Sequence, residues 1–403
     1  MAYSWHQIPT PFVPSEKYQI IAVQTLDKLI DDSKTGEHPP HVTTTHSGIS
    51  SYVRNFFPYE SFEDFENSWH LGNYVIERHT NEKTFENMSI YVRLGMHFIY
   101  YGPAHEKVLK WKQARDLLEY HSKQLGAAYD TPVSKAHIEP FINFFKLHDS
   151  LAELEEPDPT KYATFNDFFA RRLHHAARPI TLPDDKFVIS SPADCRLMLF
   201  PTTDLATKYW IKGYGFTIAK LLRDQKLAKQ YEGGAMIIAR LAPQDYHRWH
   251  SPCDGFISKV TEIPGTYYTV NPQAINQPGT LDVFCENRRS VMLLARQAPH
   301  SPVLVIAVGA MLVGSIKYDV PEGTTVQRGQ CLGAFQYGGS TVIVLMPKDE
   351  FIPDEDLVEN STKEKCETLV KVGWKLGRSP DPFAHVVPLP HDTCTGTANQ
   401  ALW

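Results

Sequence analysis

Tyr337-Gly338-Gly339-Ser340-Thr341 stands between two apolar runs, residues 303–308 (VLVIAV) before it and 342–346 (VIVLM) after it. Both runs are short, rich in β-branched residues and bounded by Gly or Pro, the pattern of buried strands rather than helices. Read alone, Gly-Gly-Ser-Thr is a turn, with glycine supplying positive φ and serine satisfying the backbone. It permits more than a turn. The two glycines leave the Gly339 carbonyl sterically open, and Ser340 presents a hydroxyl beside it. A serine so placed can attack its own chain, convert the amide to an ester, and by elimination open the chain between Gly339 and Ser340. Residue 340 then ends as a pyruvoyl group, an electrophilic ketone of the kind that decarboxylates amines carrying a carboxylate. A nucleophile-elbow hydrolase is a poor fit, since Val342 stands where G-x-S-x-G requires glycine.

Outward from this stretch, runs 235–239, 256–260 and 291–294 carry the same signature between Gly and Pro turns, predicting a mostly antiparallel β core from about residue 185 onward. The stretch 320–333 (VPEGTTVQRGQCLG) resembles half of a biotinyl- or lipoyl-type barrel. Upstream the pattern is helical. Val108, Trp111, Leu118 and Leu125 repeat at near-heptad spacing before Gly126, which reads as a C-cap, and Thr131-Pro132 opens a second helix through Ile138, Phe141, Ile142 and Phe145. The fold class is therefore α+β, a helical N-terminal region followed by a mostly antiparallel β core with barrel-like elements. Its parts are a loosely ordered lead over 1–50 with one short helix near 18–32, a helical region over 51–160, a catalytic domain over 161–377, and a mobile, Pro-rich tail over 378–403.

Two further segments carry chemistry. In Tyr246-His247-Arg248-Trp249-His250-Ser251-Pro252-Cys253 two imidazoles stand three apart. Imidazole exchanges protons near neutral pH, which suits general acid and base work. The same spacing also allows two hydrogen-bonded core histidines, or a metal held by His247, His250 and Cys253. No second Cys/His cluster follows at a zinc-like distance, so no metal is expected. In Ser190-Ser191-Pro192-Ala193-Asp194-Cys195 a turn bears one carboxylate. Such an aspartate commonly bonds its own backbone, but beside a Ser and a His it can fix an imidazole tautomer.

At this point the chain resembles the phosphatidylserine decarboxylase family of pyruvoyl-dependent enzymes over about residues 160–377. The blocks occur in the family's order: Thr164–Leu173 with Arg178-Pro179-Ile180, the Ser-Pro-Ala-Asp turn, Lys212-Gly213-Tyr214, the two-histidine block, Tyr268-Thr269-Val270-Asn271-Pro272, Glu286-Asn287, Val308-Gly309-Ala310, and Gly-Gly-Ser-Thr with the tail after it. The chain departs from the common pattern at Cys195 and Gly338. The resemblance implies self-cleavage between Gly339 and Ser340 into chains 1–339 and 340–403 that stay associated. It implies that His250 deprotonates Ser340, that Asp194 orients His250, and that His247 serves the decarboxylation step. The cofactor is then the pyruvoyl group made from Ser340, which condenses with the substrate amine as a Schiff base and acts as the electron sink that pyridoxal phosphate provides elsewhere. The implied substrate is phosphatidylserine, converted to phosphatidylethanolamine and carbon dioxide. A soluble decarboxylase of a free aromatic amino acid such as tryptophan is the alternative within the family. A carrier or binding module ranks lower, because the hairpin tip holds Gly-Gly-Ser where a carrier needs lysine.

Composition bounds the rest. With 403 residues, 42% hydrophobic and 21% charged, the chain has material for a large core. A formal charge of −6 without a basic stripe argues against nucleic acid as a partner. Six scattered cysteines, an N-terminus without a basic and apolar leader, and no run of about 18 apolar residues predict an intracellular protein, cytoplasmic or peripheral to a membrane. Peripheral membrane contact and a homo-oligomeric assembly are both compatible with this reading.

Overall fold

The computed structural model describes residues 72–87, 126–209, 211, 215–266, 282–309, 316–336 and 340–381. The expected lead, the helix near 18–32, the heptad-spaced segment before Gly126, the block 268–272, Gly339 and the tail from residue 382 lie outside these residues. Among the described residues the strands run in chain order as β1 (Gly72–Glu77), β2 (Lys83–Asn87), β3 (Val188–Ser190), β4 (Cys195–Phe200), β5 (Met236–Leu241), β6 (Arg248–His250), β7 (Gly255–Ile263), β8 (Arg289–Ala295), β9 (Val303–Gly309), β10 (Ile316–Tyr318), β11 (Thr325–Val326), β12 (Cys331–Phe335), β13 (Ser340–Leu345), β14 (Ile352–Pro353), β15 (Glu367–Val370) and β16 (Lys375–Arg378).

Ten of them form one sheet in the order β11-β7-β8-β9-β13-β5-β4-β15-β1-β2, and two three-stranded sheets, β10-β12-β6 and β14-β16-β3, lie beside it. Pairing in the large sheet is antiparallel except between β1 and β15. The mixed α+β class and the antiparallel core stand. The barrel-like elements are not confirmed, since the described residues form no closed barrel. Segment 320–333 splits between β11, at one edge of the large sheet, and β12, in the middle of a small one, and the large sheet ends at β11 and β2 without closing.

The unbroken apolar runs have a direct cause: the central strands are covered on both faces. Successive side chains on a strand point to opposite faces. Met198, Ile238, Ile306 and Ile343 therefore join a core with helices Thr203–Tyr209, Ile218–Leu222, Gln225–Ala228 and Val283–Glu286. Leu197, Ala239, Val305 and Val344 join a second core with Trp249, Leu332, Phe335 and Leu376 of the small sheets. A one-sided sheet would have shown alternation.

A third core, largely aromatic, gathers Tyr129, Ile138, Phe141, Phe165, Phe168 and Phe169 from the helical segment. Thr131-Pro132 starts a 3-10 turn, Pro132–His137, that runs into helix Ile138–Phe145. Residues 126–129 are themselves helical, so Gly126 does not end its helix. The short helix Phe165–Phe169 is fixed at its start by a capping box, in which Thr164 and Asp167 satisfy each other's backbone N–H. One part of the expected helical region differs in kind: residues 72–87 are a hairpin. Its strand β1 pairs with β15, nearly 300 residues away, and Arg78 binds Asp354 and Asp356. A local periodicity reading has no access to a partner that distant.

Candidate active site

Ser340 opens β13 and faces Leu241 of β5 on one side and Gly309 of β9 on the other. It shares strand parity with Val342 and Val344, so its side chain belongs to the face covered by the small sheets. It is 1% exposed. The chain leaving β5 turns at Ala242-Pro243-Gln244-Asp245, where the Asp245 N–H donates to Ala242 O at 2.9 Å and the Asp245 carboxylate accepts from Ala242 N–H at 2.7 Å. Proline at the second position suits such a turn. Arg171, buried, donates to the carbonyls of Gln244 and Asp245 at 3.1 and 3.0 Å and holds the turn from outside.

The turn delivers His247 to Ser340. His247 Nδ1 lies 3.1 Å from Ser340 Oγ, and Nε2 lies 2.9 Å from Ala242 O. A carbonyl can only accept, so Nε2 carries the ring proton and Nδ1 presents its lone pair to the serine hydroxyl. Phe169 stacks on the ring at a centroid distance of 4.0 Å. Burial, then the nearby Arg171 charge, pushes the His247 pKa down to about 3, so the ring is neutral at physiological pH.

His250 stands apart from this contact. Its backbone N–H donates to Pro192 O, its Nδ1 lies 2.7 Å from Gly329 O, and its Nε2 lies 3.1 Å from the Tyr246 hydroxyl. Gly329 is at φ +82°, and a Cβ there would meet Ile180 Cδ1 at 2.2 Å, so this carbonyl is aimed by a position that requires glycine. Burial lowers the His250 pKa, while the Gly329 carbonyl and the charge of Asp194 act to raise it.

Asp194 accepts from Arg178 Nε at 3.0 and 2.9 Å and Nη2 at 2.6 Å, and from Val372 N–H at 2.8 Å. Arg178 also binds Glu153 at 2.8 Å. The sequence reading differs here in two particulars. The ring against Ser340 Oγ is His247, not His250, and Asp194 reaches His250 through its field while its oxygens are bound to Arg178 and Val372. The reason is geometric: His247 precedes β6 and meets Ser340, while His250 closes β6 and turns its ring to Gly329 and Tyr246. Sequence reasoning assigned no role to Tyr246, Phe169, Arg171 or Arg178. All four stand in or beside the quoted blocks, and only their tertiary partners distinguish them from ordinary core and surface residues.

The family model for phosphatidylserine decarboxylase matches residues 165–378. The chain belongs to the phosphatidylserine decarboxylase family. Among relatives of this family member, phosphatidylserine decarboxylase proenzyme 3 of Schizosaccharomyces pombe is 44% identical over 308 residues, 76% of this chain and 31% of that protein. Phosphatidylserine decarboxylase proenzyme 2 of Saccharomyces cerevisiae is 42% identical over 76% of this chain and 26% of that protein. The phosphatidylserine decarboxylase proenzyme of Fusobacterium nucleatum is 36% identical over 75% of this chain and 96% of its own length. The chain thus spans less than a third of these fungal relatives and a match to nearly the whole of the bacterial one. No helix among the described residues is long and apolar enough to cross a membrane.

Proposed function

We propose that this chain is a self-processing decarboxylase that converts phosphatidylserine to phosphatidylethanolamine and carbon dioxide. The observation that carries the reading is the buried Ser340 hydroxyl held against Nδ1 of a neutral His247 at the start of a central strand. Ser340 Oγ bonds to the Gly339 carbonyl carbon as the 339–340 amide bond breaks, giving an ester and a free amine on residue 340. Loss of the residue 340 α-proton then expels the Gly339 carboxylate and leaves a dehydroalanine, whose tautomer gives up ammonia to water and leaves the ketone.

The residues suit this product, since the future ketone carbon is the Cα of the buried Ser340, whose side-chain carbon becomes the methyl group beside an imidazole rather than in open solvent. Once formed, the pyruvoyl group supplies an electrophilic carbonyl for the substrate amine and a sink for the electrons that departing carbon dioxide leaves behind. His247 is within reach to return a proton at that position, Phe169 keeps its ring in place, and Asp194 biases His250. The family pattern gives the proton of Ser340 to His250; the hydrogen bond favours His247 for that step, and the two assignments are separable by mutation. The relatives' names support phosphatidylserine over a free amino acid, and a lipid substrate implies contact with a membrane surface.

The two products stay together on this reading. β13 is paired over six residues with β5 and over six with β9, and burying each of its large apolar side chains contributes roughly 1.5–3 kcal/mol. Intact mass spectrometry of the purified protein tests the proposal. The expected result is two chains, 1–339 and 340–403, the second with a blocked, pyruvoyl-mass N-terminus, and a single uncleaved chain for Ser340→Ala. Cleavage of the Ser340→Ala protein would overturn the reading.

A further inference from the structure

The two histidines are held in opposite tautomers, and a residue outside the four proposed catalytic groups holds the second of them. Gly329 O accepts from His250 Nδ1–H, so Nε2 is the ring's only acceptor, and the Tyr246 hydroxyl occupies it at 3.1 Å. Tyr246 is 6% exposed, and its ring lies 5.6 Å from that of His250. Its own ionisation is pushed far above physiological pH, by burial first, so the hydroxyl remains a donor.

We propose that Tyr246 is a positioning residue for His250: by donating to Nε2 it keeps the ring in the Nδ1–H form and its one lone pair closed to any other proton. The remaining groups acting on the ring are Asp194, itself bound by Arg178, and Asp319, both favouring the protonated form, and Arg248, opposing it. None of these touches Nε2. A hydrogen bond accepted by the lone pair stabilises the neutral ring, so its removal raises the ring's proton affinity.

The inference rests on the self-processing reading only where it reaches the reaction, and the first measurement does not depend on it. In full-length protein carrying Ser340→Ala and 15N-histidine, nitrogen chemical shifts report the tautomer and titration of His250. The expected result is a protonated Nδ1 and a hydrogen-bonded, unprotonated Nε2. Tyr246→Phe, which keeps the ring and its packing, is expected to move the His250 titration upward by up to about one pH unit. A protonated Nε2 in the parent, or an unmoved titration in the variant, overturns the proposal. On the family assignment, in which His250 takes the Ser340 proton, Tyr246→Phe is expected in the self-cleaving chain to shift the acid limb of the cleavage-rate profile upward by a similar amount. A uniform fall in rate with an unmoved limb is the signature of a merely structural tyrosine and overturns the link to processing, while the tautomer measurement separately judges the contact.

Discussion

His247 and His250 are the same residue type, three positions apart on one segment, the first fully buried and the second half-buried, and their surroundings give them different chemistry. His247 donates through Nε2 to Ala242 O and accepts through Nδ1 from Ser340; His250 donates through Nδ1 to Gly329 O and accepts through Nε2 from Tyr246. Each ring has one nitrogen fixed by a backbone carbonyl, and the carbonyl's position decides which nitrogen is left to receive a proton. His247 sits closer to buried guanidinium groups, which oppose its protonation, whereas His250 feels the carboxylates of Asp194 and Asp319. One pocket is built to hold a lone pair against a serine. The other keeps a lone pair covered.

The largest test of this contrast is the pair His247→Ala and His250→Ala. If the contact with Ser340 is the working one, His247→Ala slows self-cleavage by about 100-fold or more, the scale of a lost general base, while His250→Ala costs less. The reverse pattern in a time course of chain cleavage would restore the assignment implied by the family pattern and confine His247 to the later step.

A smaller effect is expected on stability from Arg178→Met. It leaves the Asp194 carboxylate, 13% exposed, with Val372 N–H but without its guanidinium, and breaking this half-buried pair costs less than the loss of about 3–5 kcal/mol for a fully buried one. Denaturant unfolding reads the loss. Restoration of stability by adding Asp194→Asn would show that the stranded charge, rather than the missing arginine packing, is responsible.

The pH dependence of unfolding is the mildest probe. His247 has a folded-state pKa of about 3 against an ordinary 6.5, so the unfolded chain binds the proton more readily. Its contribution to stability is complete above pH 6.5 and is lost as pH falls toward 3, about 2 kcal/mol of it between pH 7 and pH 5. In a chain carrying His247→Gln the slope over that interval should flatten. An unchanged slope would mean that His247 is not held neutral by the fold.

The apolar runs 303–308 and 342–346 announced their strands, because a strand buried on both faces needs apolar residues at every position. Self-cleavage at Gly339-Ser340 and the roles of Asp194, His247 and His250 stand as proposals drawn from residue types in short segments. The hairpin at 72–87 and the open sheet were not legible in this way. Parallel pairing of β1 with β15, and the division of 320–333 between two sheets, depend on partners far away in the chain.

What the sequence by itself determined is the set of candidate groups: a serine after two glycines, two imidazoles, one carboxylate, and the apolar strands that carry them. Tertiary structure alone decided which imidazole meets the serine. Strand parity turns the Ser340 side chain toward the small-sheet face, the Ala242–Asp245 turn folds His247 back onto it, and Gly329 and Tyr246 engage both nitrogens of His250. Proton geometry depends on where carbonyls point, and carbonyl direction belongs to the folded backbone rather than to the side-chain alphabet.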